Sequence, residues 1–170
     1  MALTGYTKTC GRSNGGIKRV GLIEAADLSK VTETEGKITA ITFAEGKKFH
    51  KYEFQQDQAE ITVDGENVFN YSLNMWFNKM SAETSKAMAE IADAAPCGIV
   101  ALVEQANGSS FLLGYNSEFG TERAVESFTA GGGTGRALTD ANNYQITLAT
   151  TQAVPVTYLD DSLDTTTLYA

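Results

Sequence analysis

Residues 58–78 read QAEITVDGENVFNYSLNMWFN, and this stretch decides the fold class. Ala59, Ile61 and Val63 alternate with Gln58, Glu60 and Thr62. Asp64-Gly65 then supplies residues that tolerate positive φ in a tight turn. After the turn Phe69, Tyr71, Leu73, Met75 and Phe77 fall on one face, and Asn70, Ser72 and Asn74 on the other, where Trp76 interrupts the polar run. Side chains of a strand point alternately to its two faces, so this period of two predicts an antiparallel pair with one face in a core. The other face meets water or a neighbouring subunit.

Working outward from this hairpin, a helix follows it. Ser81 is a good N-cap and Glu83 complements the positive end of the helix dipole. Ala87, Met88, Ile91, Ala92 and Ala95 recur at spacings of three and four before Pro96 stops the helix. Ile99–Val103 (IVALV) is apolar throughout, as expected of a central strand covered on both faces, and Asn107-Gly108 turns it into Phe111–Tyr115. Further strands are expected at 124–130 and 143–150, with the glycine-rich GGGTG of residues 131–135 as the hairpin tip or interface loop between them. On the N-terminal side, residues 17–24 predict a first strand and 25–36 a loop or short helix. A hairpin is expected to pair 37–43 with 47–54 around the break at 44–46. Turn formers without periodicity fill residues 1–16, an N-terminal arm, and 159–170 read as an acidic C-terminal tail. One β-rich domain spans 17–158. The chain is thus mainly β (α+β), with a single helix at about residues 81–95.

Length and composition agree with one domain. The 170 residues are 42% apolar and 20% charged, enough to form a core and too apolar for wholesale disorder. No apolar run approaches the roughly 20 residues of a bilayer-spanning helix, so no membrane partner is expected. The N-terminus MALTGYTKTCGRSNGG lacks the pattern of a secretory signal, and the chain reads as made and folded in a cytoplasm. Charge is unevenly placed. Residues 1–51 hold nine basic and five acidic side chains, a net of +4, while 52–170 hold four and sixteen, a net of −12. Such asymmetry steers a subunit toward copies of itself when the halves stay apart in space, and averages out when they interleave.

The motifs of catalysis are weak here. Gly11-Arg12-Ser13-Asn14-Gly15 matches G-x-S-x-G in letters, but a nucleophile elbow needs a strand before it and a helix after it. His50, the only imidazole, lies between lysines in a strand (KFHKY) and reads as a surface residue. Three Cys and His residues in total cannot supply the four ligands of a structural zinc site, and Cys10 and Cys97 read as reduced thiols. Asp160, Asp161 and Asp164 lack calcium-loop spacing. Residues 131–136 (GGGTGR) lack the Gly-Lys-Ser/Thr ending of a phosphate loop. No enzyme, cofactor or metal is therefore expected, and the acidic balance argues against tight phosphate-backbone binding.

The order of elements resembles a known family. Strands, the long alternating strand, one helix ending at Pro96, GIVALV, the hairpin QANGSSFLLGY, the glycine-rich segment and the closing DANNYQITLATTQAVP are similar to small tail tube proteins of tailed bacteriophages, over residues 17–158. The resemblance implies an antiparallel β-sandwich or small barrel with one flanking helix and extended arms. It also implies self-assembly into rings, commonly hexameric, stacked into a tube that conducts DNA during ejection without gripping it. Expected partners are copies of the chain and other virion proteins, and the expected location is the virion. Under the resemblance Asn70, Ser72, Asn74 and Trp76 face a neighbour or the lumen. The arm and the 116–136 segment, with Gly131, Gly132, Gly133, Gly135 and Arg136, are candidates to bridge rings. Other virion roles remain alongside it: head-tail connector, tail completion or head decoration protein. A third class is a monomeric β-sandwich binding module that uses Trp76 as a stacking platform.

Overall fold

The computed structural model describes residues 2–170. Its strands are β1 (Ile17–Glu24), β2 (Leu28–Thr34), β3 (Lys37–Phe43), β4 (His50–Tyr52), β5 (Ala59–Asp64) and β6 (Phe69–Phe77). Helix α1 (Ala82–Ala94) comes next, then β7 (Ile99–Gln105), β8 (Ser110–Leu113), β9 (Ser127–Gly133), β10 (Asn143–Gln152) and β11 (Thr157–Tyr158). Two antiparallel sheets, in the orders β11-β8-β7-β1-β4 and β5-β6-β10-β9, pack face to face as a sandwich with one helix, and neither closes into a barrel.

The alternation in β6 does what period two requires. Tyr71, Leu73, Met75 and Phe77 are buried against Val20, Leu22, Ala101, Val103 and Leu113 of the facing sheet. Ile91 and Ala95 bring the apolar stripe of α1 into the same core. The helix starts where expected, with a capping box: Ser81 Oγ accepts from Thr84 N, and Thr84 Oγ1 accepts from Ser81 N at 2.9 Å. Ile99–Val103 is buried on both faces. Ile99, Ala101 and Val103 join the sandwich core, whereas Val100 and Leu102 point to a second core on the far side, with Ile38, Phe49, Leu112, Leu159 and Leu168.

That second core holds the main corrections to the sequence reading. Residues 28–34, expected within a loop or short helix, form β2 and pair with β3, so the expected 37–43/47–54 hairpin does not exist. The turn lies instead at Glu35-Gly36, where φ is +53° and +81°. Two successive positive φ values match the right-handed twist of a hairpin, and glycine takes the second at no steric cost. β4 is shorter than expected and pairs with β1 at the sheet edge. Residues 159–170 do not hang free. Leu159 and Leu168 are buried, Asp160 N donates to the Ile38 carbonyl at 2.8 Å, and Phe49 exchanges backbone bonds with Leu168 and Ala170. The carboxylates of this segment stay at the surface, and Asp160 and Asp164 accept from the N–H groups of Ser162 and Thr166. The Ser162 N–H and hydroxyl hold the Asp160 carboxyl, and the Thr166 hydroxyl and N–H the Asp164 carboxyl, below the usual aspartate range.

The glycine run is also placed differently. Gly131, Gly132 and Gly133 lie inside β9, opposite Gln145, Tyr144 and Asn143, and the hairpin turn is residues 134–142. β10 supplies the missing signal: its long alternating pattern gives Gly131–Gly133 backbone partners that their own lack of side chains does not advertise.

Candidate functional site

The outward face of the four-stranded sheet collects most of the residues singled out from sequence. Register sets its rows: Trp76 beside Gln145 and Gly131, Asn74 between Glu60 and Thr147, Ser72 between Thr62 and Ala149, and Asn70 between Asp64 and Thr151. Ser127, Thr129 and Gly133 complete the β9 side. The amides are tied across strands. Thr147 Oγ1 donates to Asn74 Oδ1 at 2.7 Å, Asn74 Nδ2 to Glu60 Oε1 at 3.3 Å, and Thr151 Oγ1 to Asn70 Oδ1 at 2.7 Å. Such ladders hold side chains flat against the sheet and stiffen the surface.

Among the described residues this face of β5, β6, β10 and β9 carries no lysine, arginine or histidine, and its two charges, Glu60 and Asp64, are negative. At one end of the sheet, the Arg123 guanidinium donates to the Thr151 carbonyl through Nε at 3.0 Å and Nη2 at 2.8 Å. It lines a cleft of about 340 Å³ with Glu122, Glu126 and Ser127 and with Asn70, Ser72 and Thr151 of the outward face.

Both borders of the sheet are open strands. β5 and β9 each pair on one side only. On the core side of β5, Val63 is 53% exposed, and Val68 in the β5–β6 turn is 38% exposed. Phe128 on β9 is half-buried. The sandwich is therefore incompletely covered along these edges. Gly132 turns to the core side with φ +104°, and a Cβ there would stand 2.3 Å from the Asn143 carbonyl oxygen. Gly133 on the outward face has open space. Gly135 and Arg136 lie off the sheet in the β9–β10 turn. In that turn Asp140 Oδ2 accepts from Arg136 N and Ala137 N, both at 2.8 Å, which holds its carboxyl below the usual range. Leu138 at the tip is fully exposed.

The structure thus brings Asn70, Ser72, Asn74, Trp76, Gly131 and Gly133 onto one surface and leaves Gly132, Gly135 and Arg136 off it. Thr147, Thr151, Thr129 and Ser127 belong to the same surface. Their polar alternation is visible in sequence, but the β6–β10 neighbourhood is not, because Asn74 and Thr147 are 73 residues apart.

The other chemical candidates lie elsewhere. Ser13 sits in the exposed arm with no strand before it and β1 after it, and His50 is exposed on β4. Cys10 and Cys97 are free and exposed. Among the described residues no group of three His, Cys, Asp or Glu is placed to hold a metal ion. No described helix is long and apolar enough to cross a membrane. No family model matches the chain, and neither a curated protein nor a solved structure is similar to it.

Proposed function

We propose that this chain is a self-assembling structural subunit of the phage tail tube type, whose four-stranded sheet continues from copy to copy into a ring that conducts DNA. One observation carries the reading: a sheet open at both edges whose outward face is neutral or acidic. An unpaired edge strand is a template for further pairing unless charges, proline or a covering element blunt it, and β9 carries neither a charge nor a proline along its length. Four antiparallel strands also present opposite directions at their two borders, so β9 of one copy meets β5 of the next in antiparallel sense. Every copy is then equivalent, and a head-to-tail contact of this kind closes into a ring when the rotation per copy is right.

Closure also covers Val63, an apolar side chain the isolated sandwich leaves half open on the β5 edge. Six copies, the number implied by the tail tube resemblance, set roughly 24 strands about 4.8 Å apart around a circumference of about 115 Å. The lumen of such a ring accommodates a nucleic-acid duplex. Phosphate affinity comes from lysine and arginine, and beside a wall of amides, hydroxyls and two carboxylates the one cation is Arg123 at the sheet's end, bonded to the Thr151 carbonyl and flanked by Glu122 and Glu126. DNA passes without being held. Connector, completion and decoration roles share the self-association and differ in position within a virion.

Val63→Lys tests the contact. Val63 is already half exposed, so the variant is expected to fold, while a lysine at the junction raises the concentration at which light scattering and negative-stain microscopy detect rings by at least tenfold. A wild-type protein that stays monomeric at every concentration, and binds a small ligand that Trp76→Ala abolishes, would instead establish the binding-module reading.

A further inference from the structure

We infer that the groove between α1 and the outer edge of β4 receives the N-terminal arm of a second copy of this chain, an inference that rests on the self-assembly proposed above. The groove has a volume of about 690 Å³ and a floor of Leu22, Ala87 and Ile91. Its lining carries four carboxylates, Glu24, Asp27, Glu90 and Asp93, against Lys47 and Lys51. Both lysines already face acids: Lys47 Nζ is 3.6 Å from Asp27, and Lys51 Nζ is 2.8 Å from Glu53 outside the groove. On the α1 wall Glu90 has Lys86 Nζ at 3.9 Å, outside the groove, and Asp93 has no ion-pair partner among the described residues, so the lining of that wall stays acidic.

The edge beside it is unfinished. Phe49 turns its N–H and C=O outward from β1 to Leu168 and Ala170, and by strand alternation Lys51 turns its own the same way, where among the described residues no backbone partner meets them. An added strand finds main-chain partners there and an apolar floor for alternate side chains.

The arm matches these demands. Residues 2–16 are exposed throughout, with Leu3 at 103% and Tyr6 at 86%. They contain Lys8 and Arg12 and no acidic residue, opposite in sign to the groove. Thr4, Tyr6, Thr7 and Thr9 favour extended backbone. Fifteen residues reach about 50 Å when extended. Its own groove is badly placed for it. The arm leaves β1 at the Ile17 end, where Ala106 N donates to the Gly16 carbonyl and leads it to the β7 side, away from β4. The groove opens at the opposite end, at Leu22–Glu24. A second copy supplies the arm without that reversal.

Cys97 lines the groove and reports on its cover. The test follows alkylation of Cys97 by N-ethylmaleimide in full-length Cys10→Ser protein over a concentration series, with light scattering on the same samples. Under this inference Cys97 reacts at least tenfold more slowly in assembled protein than in dilute monomer. The double variant Lys8→Glu/Arg12→Glu loses that protection, and adding Glu90→Lys/Asp93→Lys to it restores it. Protection in the dilute monomer would assign the groove to the chain's own arm and overturn the inference. Unprotected Cys97 in assembled protein, or protection indifferent to the arm charges, would overturn it and leave self-assembly standing. A protein monomeric at all concentrations would overturn both.

Discussion

Glu104 shows how one buried charge locks three distant parts of the chain together. It sits on β7 at 5% exposure, where Arg19 Nε donates to Oε2, Tyr169 Oη to Oε2 at 2.7 Å, and Thr165 Oγ1 to Oε1 at 2.6 Å. The Arg19 guanidinium also lies 5.3 Å from the centre of the Tyr169 ring. Burial pushes the Glu104 carboxyl up, and the hydrogen bonds from Thr165, Tyr169 and Arg19, with the guanidinium charge, outweigh it and leave it lowered. Burial and the neighbouring carboxylate raise the Tyr169 phenol, so it remains a donor. Glu104→Ala strands the Arg19 charge and frees the C-terminal segment. The expected loss is about 3 kcal/mol in urea denaturation at neutral pH. A carboxyl lowered on folding stabilises above its unfolded pKa and loses that contribution as pH falls toward the folded one. Wild type is therefore expected to lose more stability than Glu104→Gln between about pH 5 and pH 3. Equal losses would show that the network does not hold the charged form.

At the scale of elements, the helix and the glycine-rich strand pose opposite problems. α1 is specified locally: a capping box opens it, an apolar stripe turns it inward and Pro96 ends it. Removing the cap with Ser81→Ala is expected to cost about 1 kcal/mol, read by the shift of the thermal midpoint. β9 owes its existence to its neighbour. Gly132 must take a positive φ against the Asn143 carbonyl, whereas Gly133 faces open space. Gly132→Ala is expected to destabilise by about 1–3 kcal/mol, and Gly133→Ala to leave the folded monomer within about 0.5 kcal/mol of wild type. Equal effects would mean that β9 does not hold this register.

For the whole molecule, the charge of one sheet face is the quantity that matters. Asn74→Arg with Thr147→Arg places two guanidinium groups at the middle of the outward face and removes a 2.7 Å hydrogen bond between partly exposed residues. Rings of this variant are expected to retain duplex DNA in filter binding at low salt and to release it as salt rises, while wild-type rings retain none. DNA retention by wild type at physiological salt would contradict a non-gripping lumen. The uneven charge of the sequence takes a definite form here. The basic arm projects from the body, while carboxylates dominate the groove beside α1, so opposite signs are presented on separate parts of the subunit.

The period-two patterns of β5, β6 and β10, the capped helix and the doubly covered Ile99–Val103 are legible in sequence because side-chain periodicity and capping act over a few residues. So is the polar face of β6, and with it half of the candidate surface. Only the tertiary structure decided the rest. It chose β3 to pair back to β2, since a two-residue turn with glycine competes better than three irregular residues. It folded 159–170 into a second core, since Leu159 and Leu168 find cover only against residues 38, 49, 100 and 102. It also set β10 between β6 and β9, joining Asn74 to Thr147. Pairings across dozens of residues depend on the burial of whole faces at once, and no local pattern encodes which face will meet which.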